Sequence, residues 1–130
     1  MPPYTPDWTY SEVAAIEFAL NELKIRNIVI CAHTECGAIK ASVSNGQIPY
    51  TGLNNWLTII RNGFKVNKPL DADMGVRINL LNQVNNIRTY PSVIDLLKTK
   101  ELQVNAWIYD VRSGQMLEWD EAKQEFIAVI

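Results

Sequence analysis

The chain has few of the residues on which catalytic and structural metal sites usually depend. Its 130 residues include one histidine and two cysteines. A zinc site held by four cysteines or by three histidines is therefore excluded. Cys31 and Cys36 lie close together in the sequence, so a structural disulfide is not expected. Metal binding or thiol chemistry in a reducing compartment is the better hypothesis for them.

An excess of charge and a long apolar segment are also missing. The chain has 12 basic and 14 acidic residues, a net charge of -2 and no run of like charge, so neither nucleic acid nor a membrane is expected as a partner. No apolar stretch approaches the roughly 18 residues of a membrane-spanning helix. The first basic residue is Lys24, so no charged leader sequence is recognised either. These features predict a cytoplasmic protein.

What the chain does have is enough apolar residues for one core. Hydrophobic residues make up 48% of the sequence, and a chain of this length buries roughly two-thirds of its unfolded surface when it folds. We therefore expect a single domain over residues 1–130.

The N-terminal third predicts a helix followed by a buried strand. Thr9 and Glu12 have the spacing of a capping box, and apolar residues then recur at helical intervals, which predicts a helix over 10–23. The continuous apolar run from Ile28 to Cys31 is typical of a parallel strand that is covered on both faces. We place that strand near 26–32.

The rest of the chain predicts an α/β fold with few strands. Its periodic segments indicate helices over 53–64 and 78–88. A helix can also form over 38–43 before Asn45 and Gly46 end it, and Pro91 can begin another over 91–98. Alternation over 102–109 predicts a strand, and 116–119 can form an antiparallel edge hairpin with 126–130. The expected fold is a parallel sheet with flanking helices and a C-terminal antiparallel edge hairpin. Because a parallel sheet normally has more strands, part of one edge is expected to be missing.

The residues that indicate a metal-binding role directly follow the predicted buried strand. His33 and Cys36 are three positions apart, where a turn can bring an imidazole and a thiolate to one ion, and zinc accepts both. A catalytic zinc needs three protein ligands and a structural zinc needs four. Cys31 could face the same side, but a cysteine in an apolar strand is more often a core residue, and we expect that role.

The segment from Ile28 to Ala38 closely resembles the second zinc-binding segment of the β-class carbonic anhydrases. It reads Ile-Val-Ile-Cys-Ala-His-Thr-Glu-Cys-Gly-Ala, and the family has Val-Val-Cys-Gly-His-x-x-Cys-Gly-Ala, so Ala32 replaces the usual glycine. Further segments are similar to the family in the same order: Pro2–Tyr4, Ala14–Ala19, Asn79–Pro91 and Val104–Asp110. These linked motifs identify the chain as a member of that family.

The resemblance implies that His33 and Cys36 are two of the three protein ligands of zinc and that Cys31 is not a ligand. The third ligand belongs to a Cys-x-Asp-x-Arg motif that precedes this region in the family, and that motif occurs nowhere in these 130 residues. The chain therefore resembles the C-terminal half to two-thirds of the family, without its N-terminal helical arm and first two strands. We expect an incomplete zinc site with weak or partial occupancy.

The family reaction is the reversible hydration of carbon dioxide to bicarbonate. One zinc ligand and the Asp-Arg pair of the missing motif are absent, so we expect the activity of this chain alone to be absent or very weak, and we assign no catalytic residue. Nothing in the sequence marks its other charged residues as a replacement pair, and we expect surface or helix-pair roles for Glu35, Asp110, Arg26 and Arg88.

Two alternatives to the enzyme remain at this point. The chain is either a non-catalytic, partner-binding or regulatory carbonic anhydrase homologue that assembles through its truncated sheet edge, or a fragment without an independent function. The expected partners are further copies of the chain or a full-length carbonic anhydrase homologue. Carbon dioxide and bicarbonate are the expected ligands if the chain is active.

Overall fold

The computed structural model describes residues 1–6, 10–44, 46–65 and 67–129. Its helices and strands follow the order that the sequence pattern predicts. The helices are α1 (Ser11–Glu17), which continues into a π-helical segment (Phe18–Glu22), α2 (Gly37–Val43), α3 (Thr51–Gly63), α4 (Ala72–Ile87) and α5 (Pro91–Lys98). The strands are β1 (Asn27–His33), β2 (Gln103–Tyr109), β3 (Met116–Asp120) and β4 (Glu125–Ala128).

Most of the predicted elements are confirmed with small shifts at their ends. The helix predicted over 10–23 is α1 with its π-helical continuation, and Tyr10 precedes its first turn. The helix predicted over 78–88 begins earlier, at Ala72. The predicted cap Thr9, the predicted helix stop at Asn45 and the last hairpin residue Ile130 lie outside the described residues.

The four strands form one sheet in the order β1-β2-β3-β4. The Gln103 amide donates to the Arg26 carbonyl and the Thr34 amide to the Tyr109 carbonyl, so β1 and β2 run in the same direction. The other pairs are antiparallel, with Trp107 opposite Glu118 and Trp119 opposite Phe126. The α/β class, the parallel pair, the flanking helices and the C-terminal hairpin are confirmed.

One prediction about β1 is wrong. Exposed and half-buried side chains alternate along the strand, whereas the apolar run predicted burial on both faces. Cys31 is exposed and is not a core residue. β1 is the end strand of the sheet. Its odd-numbered side chains are exposed because they lie on a face that the described residues leave uncovered.

The chain divides into two compact units, one made of Met1–Ile30 and Gln83–Asn105 and the other of Cys31–Asn82 and Ala106–Ile130. The first unit has an apolar core whose buried members come from both of its segments. They are Val13, Leu20, Ile87, Tyr90, Val93 and Leu102. Because these side chains are removed from water, this unit is stabilised mainly by apolar burial.

The second unit packs α2, α3 and α4 around its own apolar side chains. Its buried hydrophobic residues are Ile39, Leu57, Phe64, Val76, Leu80, Ala106 and Ile108. Gly75 permits the close approach of α4 to α2, since a Cβ there would lie 2.8 Å from Cγ2 of Ile39 and 2.9 Å from Cγ2 of Val43. A larger residue at position 75 would force both neighbours to move.

Candidate metal centre

The two predicted ligands lie at opposite ends of one short turn. His33 is the last residue of β1, and Cys36 has extended backbone geometry and precedes the first residue of α2. The Cys36 thiol makes no capping hydrogen bond to the helix. Between them, Glu35 has a φ of 59°, a left-handed conformation that is uncommon for residues other than glycine. The chain therefore reverses sharply between the imidazole and the thiol.

A backbone contact indicates which ring nitrogen of the imidazole carries a hydrogen. Nδ1 of His33 lies 2.9 Å from the carbonyl oxygen of Thr34. A carbonyl only accepts hydrogen bonds, so Nδ1 carries the proton in this contact. In the neutral ring Nε2 then keeps a lone pair, which is the arrangement that metal-binding histidines use.

The turn is anchored to the segment that follows β2 through Thr34 and Asp110. The Thr34 hydroxyl donates to Oδ1 of Asp110 at 2.9 Å, and the Val111 amide donates back to that hydroxyl at 3.0 Å. Asp110 also accepts from the Ser113 hydroxyl at 2.6 Å and from the Arg112 amide at 3.1 Å. We call this network the Thr34–Asp110 anchor.

These hydrogen bonds favour the charged form of Asp110. The Ser113 hydroxyl, then the Thr34 hydroxyl and then the Arg112 amide lower the pKa of the Asp110 carboxyl to about 2. Because each donor stabilises the carboxylate more than the neutral acid, the anchor is fully formed at neutral pH and weakens only in strong acid.

Exposed ion pairs surround the anchor. Glu35 contacts Lys40 and lies 3.4 Å from Arg112, whose guanidinium is also 3.0 Å from a carboxylate oxygen of Asp73. The hydrogen bond from Lys40 is the main reason why the pKa of Glu35 is lowered. These side chains are largely open to solvent, so each pair contributes little to the stability of the turn.

The donor set is too small for a complete zinc site. Among residues 1–6, 10–44, 46–65 and 67–129, no group of three or more histidine, cysteine, aspartate or glutamate side chains could hold a metal ion. His33 is exposed and Cys36 half-buried, so both can be reached from solvent. They fit half of a four-coordinate site, and they do not fit the three-ligand centre that a catalytic zinc requires.

The anchor is the part of the site that the sequence analysis missed. Asp110 was expected to be a surface charge, but its side chain is only 24% exposed and takes part in several hydrogen bonds. Arg26 and Glu35, in contrast, do lie in partly exposed ion pairs. An aspartate that follows a strand and precedes Ser113 and Gly114 is typical of a side chain that bonds to its own turn, and that pattern could have identified Asp110.

Within the part of the chain that the structure describes, no helix is long and apolar enough to cross a membrane.

Comparisons with known proteins agree on one family. The family model for carbonic anhydrase matches residues 2–116. Carbonic anhydrase 1 of Escherichia coli O157:H7 is 31% identical over 122 residues, which are 88% of this chain and 56% of that protein. The chain spans about half the length of the curated relatives that it matches.

Solved structures show the same fold. The β-carbonic anhydrase CcaA superimposes with a TM-score of 0.83 at 28% identity, over 100% of this chain and 62% of that one. One of two tetrameric β-carbonic anhydrases from Sordaria macrospora has a TM-score of 0.69 at 24% identity, over 89% of this chain and 62% of that one. The latter likeness concerns the fold alone.

Proposed function

Because the chain belongs to the β-class carbonic anhydrase family, we propose that His33 and Cys36 are zinc ligands of a site for the reversible hydration of carbon dioxide to bicarbonate. The observation that carries the proposal is the turn itself. It presents an imidazole whose Nε2 is available and a thiol that makes no capping hydrogen bond, on an anchored loop. The comparisons support the reaction class, since the matched relatives are carbonic anhydrases.

We further propose that these 130 residues do not catalyse the reaction on their own at a useful rate. Two donors are one short of the three that a catalytic zinc uses. The loss of a group that only supports a ligand typically costs 10–100-fold in affinity or activity, and the absence of a ligand is more severe. Zinc is therefore expected to bind weakly or to occupy only part of the molecules.

Metal analysis tests the ligand assignment. After dialysis against a mild chelator, the chain should retain clearly less than one zinc per molecule. Cys36→Ser should lower the remaining affinity for zinc, whereas the matched control Cys31→Ser should leave it unchanged. One tightly held zinc per chain would contradict the two-ligand proposal, and sensitivity to Cys31→Ser would identify the exposed cysteine as a ligand.

Stopped-flow hydration of carbon dioxide tests the activity. With saturating zinc, the chain should be indistinguishable from the uncatalysed reaction. A zinc-dependent rate that disappears in His33→Ala would contradict the proposal of inactivity while supporting the site. A rate that persists in His33→Ala would contradict the site as well.

A second proposal concerns partner binding, and the position of β1 favours it. Among the described residues this strand is the end of the sheet and has a neighbouring strand on one side only, and Val29 on it is 43% exposed. Exposed apolar edge strands favour pairing with another chain. We propose that the chain forms a homo-oligomer through this edge, and that a full-length carbonic anhydrase homologue is the alternative partner.

Light scattering over a dilution series tests the assembly. The apparent mass should exceed that of one chain at high concentration and fall on dilution. Val29→Lys places a charge on the exposed face of β1 and should shift the equilibrium toward monomer, whereas Val111→Lys, at a similarly exposed position outside β1, should not. A monomer at all concentrations would contradict the homo-oligomer, and mixing with a full-length homologue would then decide the alternative.

A further inference from the structure

A small cavity in the second unit is lined by positively charged residues and by no negatively charged one. It has a volume of about 120 Å³ and is lined by Ser42, Val43, Arg61, Phe64, Lys65, Lys68 and Pro69. The lining contains three cationic residues and no acidic one, in a chain whose net charge is -2. None of these residues belongs to the His33–Cys36 turn.

The three cations have no carboxylate partner among the described residues. Ion pairs there involve Arg26, Lys40, Arg112 and Lys123, and none involves Arg61, Lys65 or Lys68. Lys65 and Lys68 are exposed, so water weakens the repulsion between the cations, and an anion among them lowers it further. The cavity therefore has the electrostatic character of an anion site.

Arg61 is held in place and has a buried donor without a partner among the described residues. Its Nη2 donates to the carbonyl of Gly46 at 2.8 Å and to that of Ala41 at 3.3 Å. Its Nε is buried and has no hydrogen-bond partner among the described residues. A buried donor without an acceptor is costly, and an oxyanion beside the guanidinium would offset part of that cost through its charge.

The negative ends of the neighbouring helices do not balance the positive charge around the cavity. The cavity lies beside the C-termini of α2 and α3, and each helix C-terminus carries about half a negative charge. Two such ends offset about one of the three positive charges, so about two remain. The last carbonyls of α3 also have other partners: Asn62 accepts from the Lys65 amide, and Gly63 accepts from the Asn82 side chain.

Charge and volume together define the ligand. We infer that this cavity binds a small tetrahedral oxyanion of the inorganic phosphate type, which carries between one and two negative charges near neutral pH. A volume of about 120 Å³ corresponds to about four waters, which is enough for such an ion. It is well below the roughly 300 Å³ at which pockets for larger organic ligands begin.

Amide NMR during a titration with inorganic phosphate, at constant ionic strength against chloride, tests the inference. Saturable shifts should centre on the amides of residues that line the cavity, such as Val43 and Phe64. In the double variant Lys65→Gln/Lys68→Gln, the apparent Kd should rise about tenfold, because two charge-assisted contacts are lost. The matched control Lys98→Gln/Lys100→Gln removes the same charge at two exposed positions outside the cavity and should leave the Kd unchanged.

Two outcomes would overturn the inference. Shifts that do not saturate, or that centre elsewhere in the unsubstituted chain, would exclude the cavity as a phosphate site. An equal rise of the Kd in both double variants would show that only the net charge matters. If the cavity double variant does not fold, Lys68→Gln alone, which lies outside any helix, should still raise the Kd.

Discussion

The core of the first unit and the His33–Cys36 turn are held by different forces. In the first unit, six buried apolar side chains pack together, and water has little access to their contacts. The turn is anchored by hydrogen bonds to Asp110 and surrounded by exposed ion pairs. The core should therefore respond mainly to changes of apolar volume, and the turn to changes of hydrogen bonding, pH and salt.

The largest expected effect is in the core of the first unit. Leu20 is 1% exposed, so Leu20→Ala removes apolar contacts and leaves a cavity, which should lower the free energy of unfolding by about 2–5 kcal/mol. Leu23 directly follows the same π-helical segment and is 58% exposed. Leu23→Ala should therefore change the free energy of unfolding by less than about 1 kcal/mol. Urea unfolding of both variants measures the difference. Similar losses in the two would show that the apolar core does not dominate this unit.

The second effect concerns the anchor of the turn. Thr34→Val keeps the shape of the side chain but removes its hydrogen bonds to Asp110 and Val111, so the free energy of unfolding should fall by about 1–2 kcal/mol. If the proposed ligands are correct, zinc affinity should fall about tenfold as well, because the turn that positions them is loosened.

Competition with a chromophoric chelator measures that affinity. The control is Thr58→Val, which removes a hydroxyl that bonds only within α3, to the carbonyl of Asn54. Equal zinc affinities of the Thr34 and Thr58 variants would show that the anchor does not position the ligands.

A smaller effect should be visible in the titration of Asp110. Its pKa of about 2 lies below the ordinary value of 3.8, and the Ser113 hydroxyl is the largest cause. A lowered pKa in the folded state stabilises the fold above the ordinary value, and this contribution is lost as pH falls from about 4 through about 2. In Ser113→Ala the pKa of Asp110 should rise toward 3.8, so less stability is lost over that interval.

NMR titration of the Asp110 carboxyl carbon measures the shift directly. Ser44→Ala removes a hydroxyl that contacts other backbone groups and should leave the Asp110 titration unchanged. A pKa that remains near 2 in Ser113→Ala would show that the other donors alone stabilise the carboxylate.

The smallest expected effect is that of the surface charges. Arg112 contacts Glu35, Asp73 and Asp110, but its side chain is 57% exposed. Arg112→Gln should therefore lower the melting temperature only slightly at low salt, and the difference should shrink further at 1 M salt because exposed pairs are screened. Thermal unfolding at two salt concentrations checks this. A larger loss of thermal stability that does not depend on salt would show that Arg112 contributes through buried contacts and not as an exposed charge.

Patterns that are local in the sequence were sufficient for most of the fold. Helical spacing of apolar residues located α1 and α3 to within a few positions, Pro91 marked the start of α5, and alternation located β2. The start of α4 was missed because the exposed residues of its first turns carry little apolar periodicity. Local patterns succeed where one face of an element is buried and the other is not.

The sequence by itself also determined the family and led to the proposal of His33 and Cys36 as metal donors, because the strand and both residues lie within one short segment. Only the tertiary structure decided that Cys31 is exposed and that Asp110, 76 positions from Thr34, anchors the turn between the donors. Burial depends on which elements cover a strand, and a long-range hydrogen bond depends on which loops meet at the end of a sheet. Neither is encoded in the spacing of neighbouring residues, so both had to be read from the folded chain.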